Sequence, residues 1–251
     1  MFPIAVFRRT VPSLIAVIAL ALGHGEAEAA ERTVVELFTS QGCSSCPPAD
    51  QYLTELADKP GVVALTFNVD YWDYLGWRDT LATADNTKRQ KDYAERRGDR
   101  EVYTPQMVID GRVHVVGSRR GEIERLIGEA REVDPEGPTL SIRREGRELE
   151  VHVGATEGGS SDVDATVWLL VVEPKVEVDI QKGENLDKTI TYTNVVRKMV
   201  PVGMWRGLEL QITLPAAEFA HGGAPHGVVL VQEGDGGPIL AATSMISLAE
   251  E

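Results

Sequence analysis

The chain's only two cysteines, Cys43 and Cys46, stand three residues apart in "TSQGCSSCPP", residues 39–48. This pair constrains the fold more than any other feature, because its flanks declare which elements the turn must join. Upstream, "RTVVELF" (32–38) is a β-branched run that reads as a short strand. Downstream, "PADQYLTELAD" sets Tyr52, Leu53, Leu56 and Ala57 at helical spacing. Pro47 and Pro48 disfavour helical angles in the residue before each, so this helix is expected to begin at Pro47 with Cys46 as its cap.

The pattern continues. "GVVALTFNVD" (61–70) is apolar enough for an interior strand, entered through the Pro60-Gly61 turn. The polar stretch 78–98 reads as a helix, broken near Asn86 and ended by Gly98. In "VYTPQMVIDGRVHVVG", Asp110-Gly111 divides two alternating runs, a strong hairpin signal. "SRRGEIERLIGEAREV" places Ile123, Leu126, Ile127 and Ala130 on one helical face, with Ser118 as a cap. The order to this point is βαβαββα. From "DPEGP" (134–138) the texture changes, and strands follow strands to the end of the chain. The expected fold class is an α/β domain over 31–134 followed by an all-β, sandwich-like domain over 138–251.

Residues 1–29 have the layout of a secretory signal peptide: Arg8 and Arg9, an apolar run over 11–22, and small residues at Ala27 and Ala29. The apolar run is short for a bilayer span, so no stable membrane insertion is expected after cleavage. The expected location is the periplasm or the exterior, where Cys43 and Cys46 would spend time as a disulfide. A formal charge of -14 disfavours nucleic acid and anionic lipid as partners.

"VVELFTSQGCSSCP" is similar to the glutaredoxin form of the Cys-x-x-Cys motif, and "VYTPQMVIDGRVHVVG" looks like the cis-proline loop and hairpin of the thioredoxin superfamily. Together with "NVDYWDYLGWRD" and "GENLDKTITYTNVV", these motifs resemble a family of secreted bacterial thioredoxin-like proteins of unknown function, over nearly the whole mature chain. The resemblance implies a thioredoxin-like α/β domain. It also implies a cis Pro105 packed against the cysteines, with Thr104 beside it shaping a substrate groove.

The residues themselves point to thiol–disulfide exchange on protein clients, with a redox partner to recycle the pair. A thiolate is the reactive form, and a helix start lowers a thiol's pKa. Cys43, expected to be the more exposed sulfur, would attack, and Cys46 would resolve the mixed disulfide. Ser44 and Ser45 offer hydroxyl donors. No organic cofactor is needed, because the Cys43–Cys46 disulfide is itself the redox centre. Tyr71 and Trp72, with Asp70, Asp73, Tyr74 and Trp77, are expected to rim the sulfur at a strand end or else to pack as core. Glu36 is a candidate proton relay, against the plainer reading of a solvent-facing strand residue. Asn185 and Arg197 invite a ligand-binding reading that loop and strand chemistry explains as readily.

Two other readings stay open. Two thiolates suit a soft ion such as copper, so a copper-binding or partner-docking module without turnover is the alternative; Cys43 and Cys46 would then be metal ligands. Zinc would need two further ligands, and His114, His152, His221 and His226 are scattered singly. A structural staple is the remaining possibility, though so small a loop contributes only about 2 kcal/mol.

Overall fold

The computed structural model describes residues 33–132, 137–156, 158–159, 163–219 and 226–248. The expected signal peptide, most of the "DPEGP" junction and His221 lie outside the described residues.

The first half follows the expected order. Strand β1 (Thr33–Thr39) leads through the cysteine turn into helix α1 (Pro47–Ala57), and β2 (Val62–Asn68) runs parallel to β1. Helix α2 (Ala84–Arg97) begins later than its polar composition suggested. The side chain of its cap Thr83 accepts the N–H of Asn86, while Asp79 accepts the N–H groups of Leu81 and Ala82 and holds the preceding residues in a loop. Gly98, at φ 78°, ends the helix as expected. Strands β3 (Gln106–Ile109) and β4 (Val113–Val116) form the hairpin across Asp110-Gly111, both at positive φ, and α3 (Arg120–Glu132) follows.

The second half holds β5 (Leu140–Glu145), β6 (Glu148–Val153), β7 (Ala165–Asp179), β8 (Thr189–Trp205), β9 (Leu210–Pro215), β10 (His226–Glu233), β11 (Ile239–Ala242) and β12 (Ile246–Ser247). Strands β7 and β8 are 15 and 17 residues long and pair along nearly their whole length. The runs "ATVWLLVVEP" and "VEVDIQ", which look like two strands in sequence, are therefore one. Pro174 does not end it: the ladder skips Pro174 and the facing Asn194, which sits at φ 52°, and resumes in the same register at Lys175 and Thr193.

The expected fold class, a thioredoxin-like α/β domain followed by a β-sandwich, is overturned by the sheet pairing. The described residues are mostly β, and one mixed nine-stranded sheet runs through both halves in the order β11-β10-β7-β8-β2-β1-β3-β4, with β12 added on β10. Its continuity depends on β2 and β8, which are parallel neighbours. Thr66 donates from its hydroxyl to the Thr193 carbonyl (2.6 Å), and Asn194 donates from its amide to the Ala64 carbonyl (2.9 Å). Strands β5, β6 and β9 make a separate three-stranded sheet. Its Leu140, Leu149 and Val151 pack against Val167, Leu169 and Val231 of the large one.

The large sheet carries different cores on its two faces, as period-two alternation along β1 requires. Val35 and Leu37 join Leu53 and Leu56 of α1 and Ile123 of α3. Val34 and Phe38 join Tyr93 of α2 and also Leu170, Val172, Val228 and Leu230 from the second half. This second core crosses between the halves, as the sheet does.

Candidate functional site

Cys43 and Cys46 form a disulfide in the turn between β1 and α1. The turn is closed by backbone bonds from the Cys43 N–H to the Ser40 carbonyl and from the Cys46 N–H to the Cys43 carbonyl (3.1 and 3.2 Å). Helix α1 starts at Pro47 with Cys46 as cap, as expected, although Cys46 itself adopts helical angles. This start has a chemical cost. Pro47 and Pro48 carry no N–H, and those of Ala49 and Asp50 both go to the Cys46 carbonyl, so the first turn leaves little to offer a thiolate. The hydroxyl of Ser45 is the donor that remains, 3.4 Å from Cys43 Sγ.

Neither cysteine is exposed. Cys43 is 2% accessible and Cys46 is fully buried, so the expected exposed sulfur is in fact closed over in the oxidised state. The second half contributes to this closure. Asn185, in the loop from β7 to β8, donates both amide hydrogens to the turn, one to the Gln41 carbonyl and one to that of Cys43 (2.9 Å each). Lys188 donates in turn to the Asn185 amide oxygen (2.8 Å). Asn185 is thus a clasp on the cysteine turn. Gly183 of the same loop lies against Trp77, whose indole N–H donates to the Gln41 side chain (2.8 Å).

Several expected rim residues meet this turn. A Cβ on Gly42 would come within 3.1 Å of Trp72, so Trp72 packs directly over the residue before Cys43. Its indole N–H donates to the Thr104 hydroxyl (2.8 Å), tying the rim to the cis Thr104–Pro105 loop. Pro105 reaches the first turn of α1 at Gly117, where a Cβ would lie 3.1 Å from Pro105 and 2.9 Å from Ala49. Tyr71 stands further back, tilted against Trp72 at 6.0 Å between ring centres and packed on the core. Tyr74 projects into solvent.

Glu36 is neither the relay nor the solvent-facing residue anticipated. It is fully buried on the α2 face of β1, where Arg89 Nε donates to it (2.8 Å) and the Tyr93 hydroxyl donates a second bond. Arg89 also donates to Gln232 of β10 and to Tyr93 (2.9 and 2.8 Å). Glu36 therefore belongs to a buried network between the halves, on the far side of the sheet from α1.

The acid nearest the cysteines along α1 is Asp50, whose N–H bonds to the Cys46 carbonyl. It is buried one helical turn after Cys46, and Thr39 at the end of β1 donates to its Oδ1 (2.7 Å). Its Oδ2 is buried without a partner. Burial pushes the Asp50 carboxyl up to about 8, reduced by the Thr39 bond and reinforced by the charge of Asp79. Asp79 is also raised by burial, against bonds from the N–H groups of Gln41, Leu81 and Ala82 and from the Asn68 amide. The sequence signal was the spacing Cys46-Pro-Pro-Ala-Asp50, which sets the acid at i+4 on the cysteine's helix.

Among the described residues no cluster of three or more His, Cys, Asp or Glu side chains is arranged to hold a metal ion. His114 faces Tyr103 instead, with its Nδ1 2.8 Å from the phenol oxygen, and His152 lies 2.8 Å from Glu209. No described helix is long and apolar enough to cross a membrane.

Residues 34–232 match the family model described as "Protein of unknown function (DUF1223)". The chain belongs to this family. The DUF1223 match begins in β1 and ends in β10, so it takes in the cysteine turn, the Asn185 loop and the Arg89 network together. A protein from Agrobacterium tumefaciens with an X-ray crystal structure is 38% identical to this DUF1223 chain, with a TM-score of 0.73 over 87% of this chain and 95% of its own. HBP35 of Porphyromonas gingivalis is similar in fold alone, at 9% identity and a TM-score of 0.57 over 86% of this chain and 75% of its own. No curated protein matches the chain.

Proposed function

We propose that this DUF1223 chain is a periplasmic or secreted thiol–disulfide oxidoreductase that exchanges electrons with protein clients through Cys43 and Cys46. The observation that carries the reading is the bonded pair at a strand-to-helix turn with the Ser45 hydroxyl 3.4 Å from Cys43 Sγ, where it can donate to a thiolate. Cys43 attacks, Cys46 resolves, and Trp72, Thr104 and Pro105 border the place a client would occupy. With the proposal goes a relationship of the cysteine-bearing segment to the thioredoxin superfamily, supported by the motifs around the two cysteines and Pro105. No cofactor beyond the disulfide enters the chemistry. A second protein must return the pair to its working oxidation state, because each turnover inverts it.

The sealed disulfide makes a demand on the client: the clasp at Asn185 or the rim at Trp72 has to shift before a client sulfur reaches Cys43. Small reductants should therefore react slowly and a docking client faster.

Replacing Cys46 by Ala tests the reading. The C46A chain is expected to accumulate client proteins linked at Cys43, releasable by dithiothreitol and missing from a C43A control. Capture by neither variant, with a pair that stays oxidised across all glutathione ratios, would overturn it. Stoichiometric copper binding by the reduced chain alone would favour the carrier alternative.

A further inference from the structure

We propose that Asp50 is the proton acceptor for Cys46 when the pair closes and releases its client, an assignment that rests on the exchange function above. Three observations converge on it. Asp50 lies four residues after Cys46 on α1, which puts the two side chains on one face of the helix, and its N–H bonds to the Cys46 carbonyl (3.1 Å). One of its oxygens is fixed by Thr39, which aims the group, while the other is buried and unpartnered. A buried carboxylate oxygen with no donor is costly, and a proton is the simplest thing that satisfies it.

The surroundings keep that site open to a proton. In this oxidised state the titratable groups that act on Asp50 or are acted on by it are Asp79, from the loop before α2, and Tyr192, from β8. Neither supplies positive charge, and the Tyr192 hydroxyl is itself buried without a partner. Thr39 from β1 is uncharged. Glu36, the buried acid of β1, lies on the opposite face of that strand and is already paired with Arg89. Burial holds the Asp50 carboxyl near 8, where it gains and loses a proton close to neutrality.

The step balances without an outside reagent beyond the client disulfide. The reduced Cys43 thiolate attacks that disulfide, one client sulfur leaves as a thiolate, and a Cys43–client mixed disulfide forms. The Cys46 thiol then passes its proton to the Asp50 carboxylate. The resulting Cys46 thiolate attacks Cys43 Sγ, the Cys43–Cys46 bond forms, and the second client sulfur departs with the electron pair. Asp50 returns its proton to solvent or to the departing sulfur. Oxidation of a client dithiol is the same sequence reversed.

The test uses the full mature chain, reduced and mixed with glutathione disulfide, with acid-quenched mass spectrometry from about pH 5 to about pH 9. Two phases are read: glutathione joining Cys43, then leaving as Cys46 closes. Asp50→Asn is expected to slow the second phase at least about tenfold at neutral pH and to move its pH profile upward, leaving the first within about twofold. Asp50→Glu, which keeps a carboxyl, is expected to restore the pH-dependent second phase. A second phase of unchanged rate and profile in D50N overturns the assignment. A wild-type chain that shows neither phase removes the exchange function itself, and the Asp50 role falls with it. Difference infrared spectroscopy of the unmutated chain does not depend on a variant folding. The carboxyl band assigned to Asp50 should shift between the disulfide and dithiol states, and an unmoved band puts Cys46 beyond its reach and refutes the role.

Discussion

Glu36 and Asp50 are both carboxyl groups sealed inside the molecule, on opposite faces of β1, and the fold treats them in opposite ways. Glu36, on the α2 face, receives a guanidinium, a phenol and, through Arg89, a link to Gln232 across the halves. Asp50, on the α1 face, receives one hydroxyl and is left with an empty oxygen. Full pairing fixes a charge in place and makes it a structural element. Partial pairing leaves a group whose protonation can change, which is what a site of proton transfer requires. The contrast teaches that a buried acid in a sequence is informative only once its partners are known.

The contrast can be broken first on the paired side. Arg89→Met strands Glu36 as an unpaired buried charge and should cost about 3–5 kcal/mol in urea unfolding, the largest effect expected here. Adding Glu36→Gln should recover part of that loss, and recovery of none would mean that Arg89 acts through its stacking on Tyr93 and Phe67.

On the unpaired side the effect depends on pH. Asp50 holds its proton more tightly folded than unfolded, so its contribution to stability is fully present below its ordinary value of 3.8 and is lost as pH rises through about 8. Each unit of that window carries about 1.4 kcal/mol. The wild-type urea midpoint should therefore fall between these limits, and that of D50N should fall less steeply, since Asp79 still contributes in both. Parallel pH profiles would show that Asp50 is not an uncompensated acid.

Asn185→Ala removes two donors from the carbonyls of Gln41 and Cys43 and should cost about 1–3 kcal/mol. It should also speed reduction of the disulfide by dithiothreitol severalfold, because the clasp on the α1 side is gone. Thr83→Ala, at the cap of the helix that carries Arg89, should cost only about 1 kcal/mol and leave that reduction rate unchanged.

What the sequence made legible was local. The helix start at Pro47, the stop at Gly98 and the hairpin at Asp110-Gly111 each follow from chemistry within a few residues, and the cysteine turn fell where its flanks placed it. The pairing of β2 with β8 leaves no such mark, because parallel neighbours so far apart in sequence share no turn; Thr66 and Val195 each look like ordinary strand residues. Without that pairing, the second half reads as a sandwich of its own. Pro174 misled in the same direction, since a proline inside a long strand is tolerated only where the ladder skips it. Motif places Trp72, Thr104 and Pro105 near the cysteine turn, whereas nothing in the sequence around Asn185 reveals its bonds to that turn. Glu36 looks solvent-facing or relay-like in sequence because position along a strand does not reveal which face holds a countercharge, and the burial of Asp50 depends on how α1 packs against β1.

The parallel contact between Thr66 and Val195 has a practical consequence for anyone dissecting this chain. A fragment ending near residue 134 would carry all of the sulfur chemistry yet leave β2 as a bare, apolar edge, with Val63, Leu65 and Phe67 deprived of the cover that Leu170 and Val172 help to give. Such a fragment should recruit copies of itself along that edge and precipitate, so the natural unit for expression, crystallisation or display is a polypeptide that keeps both halves.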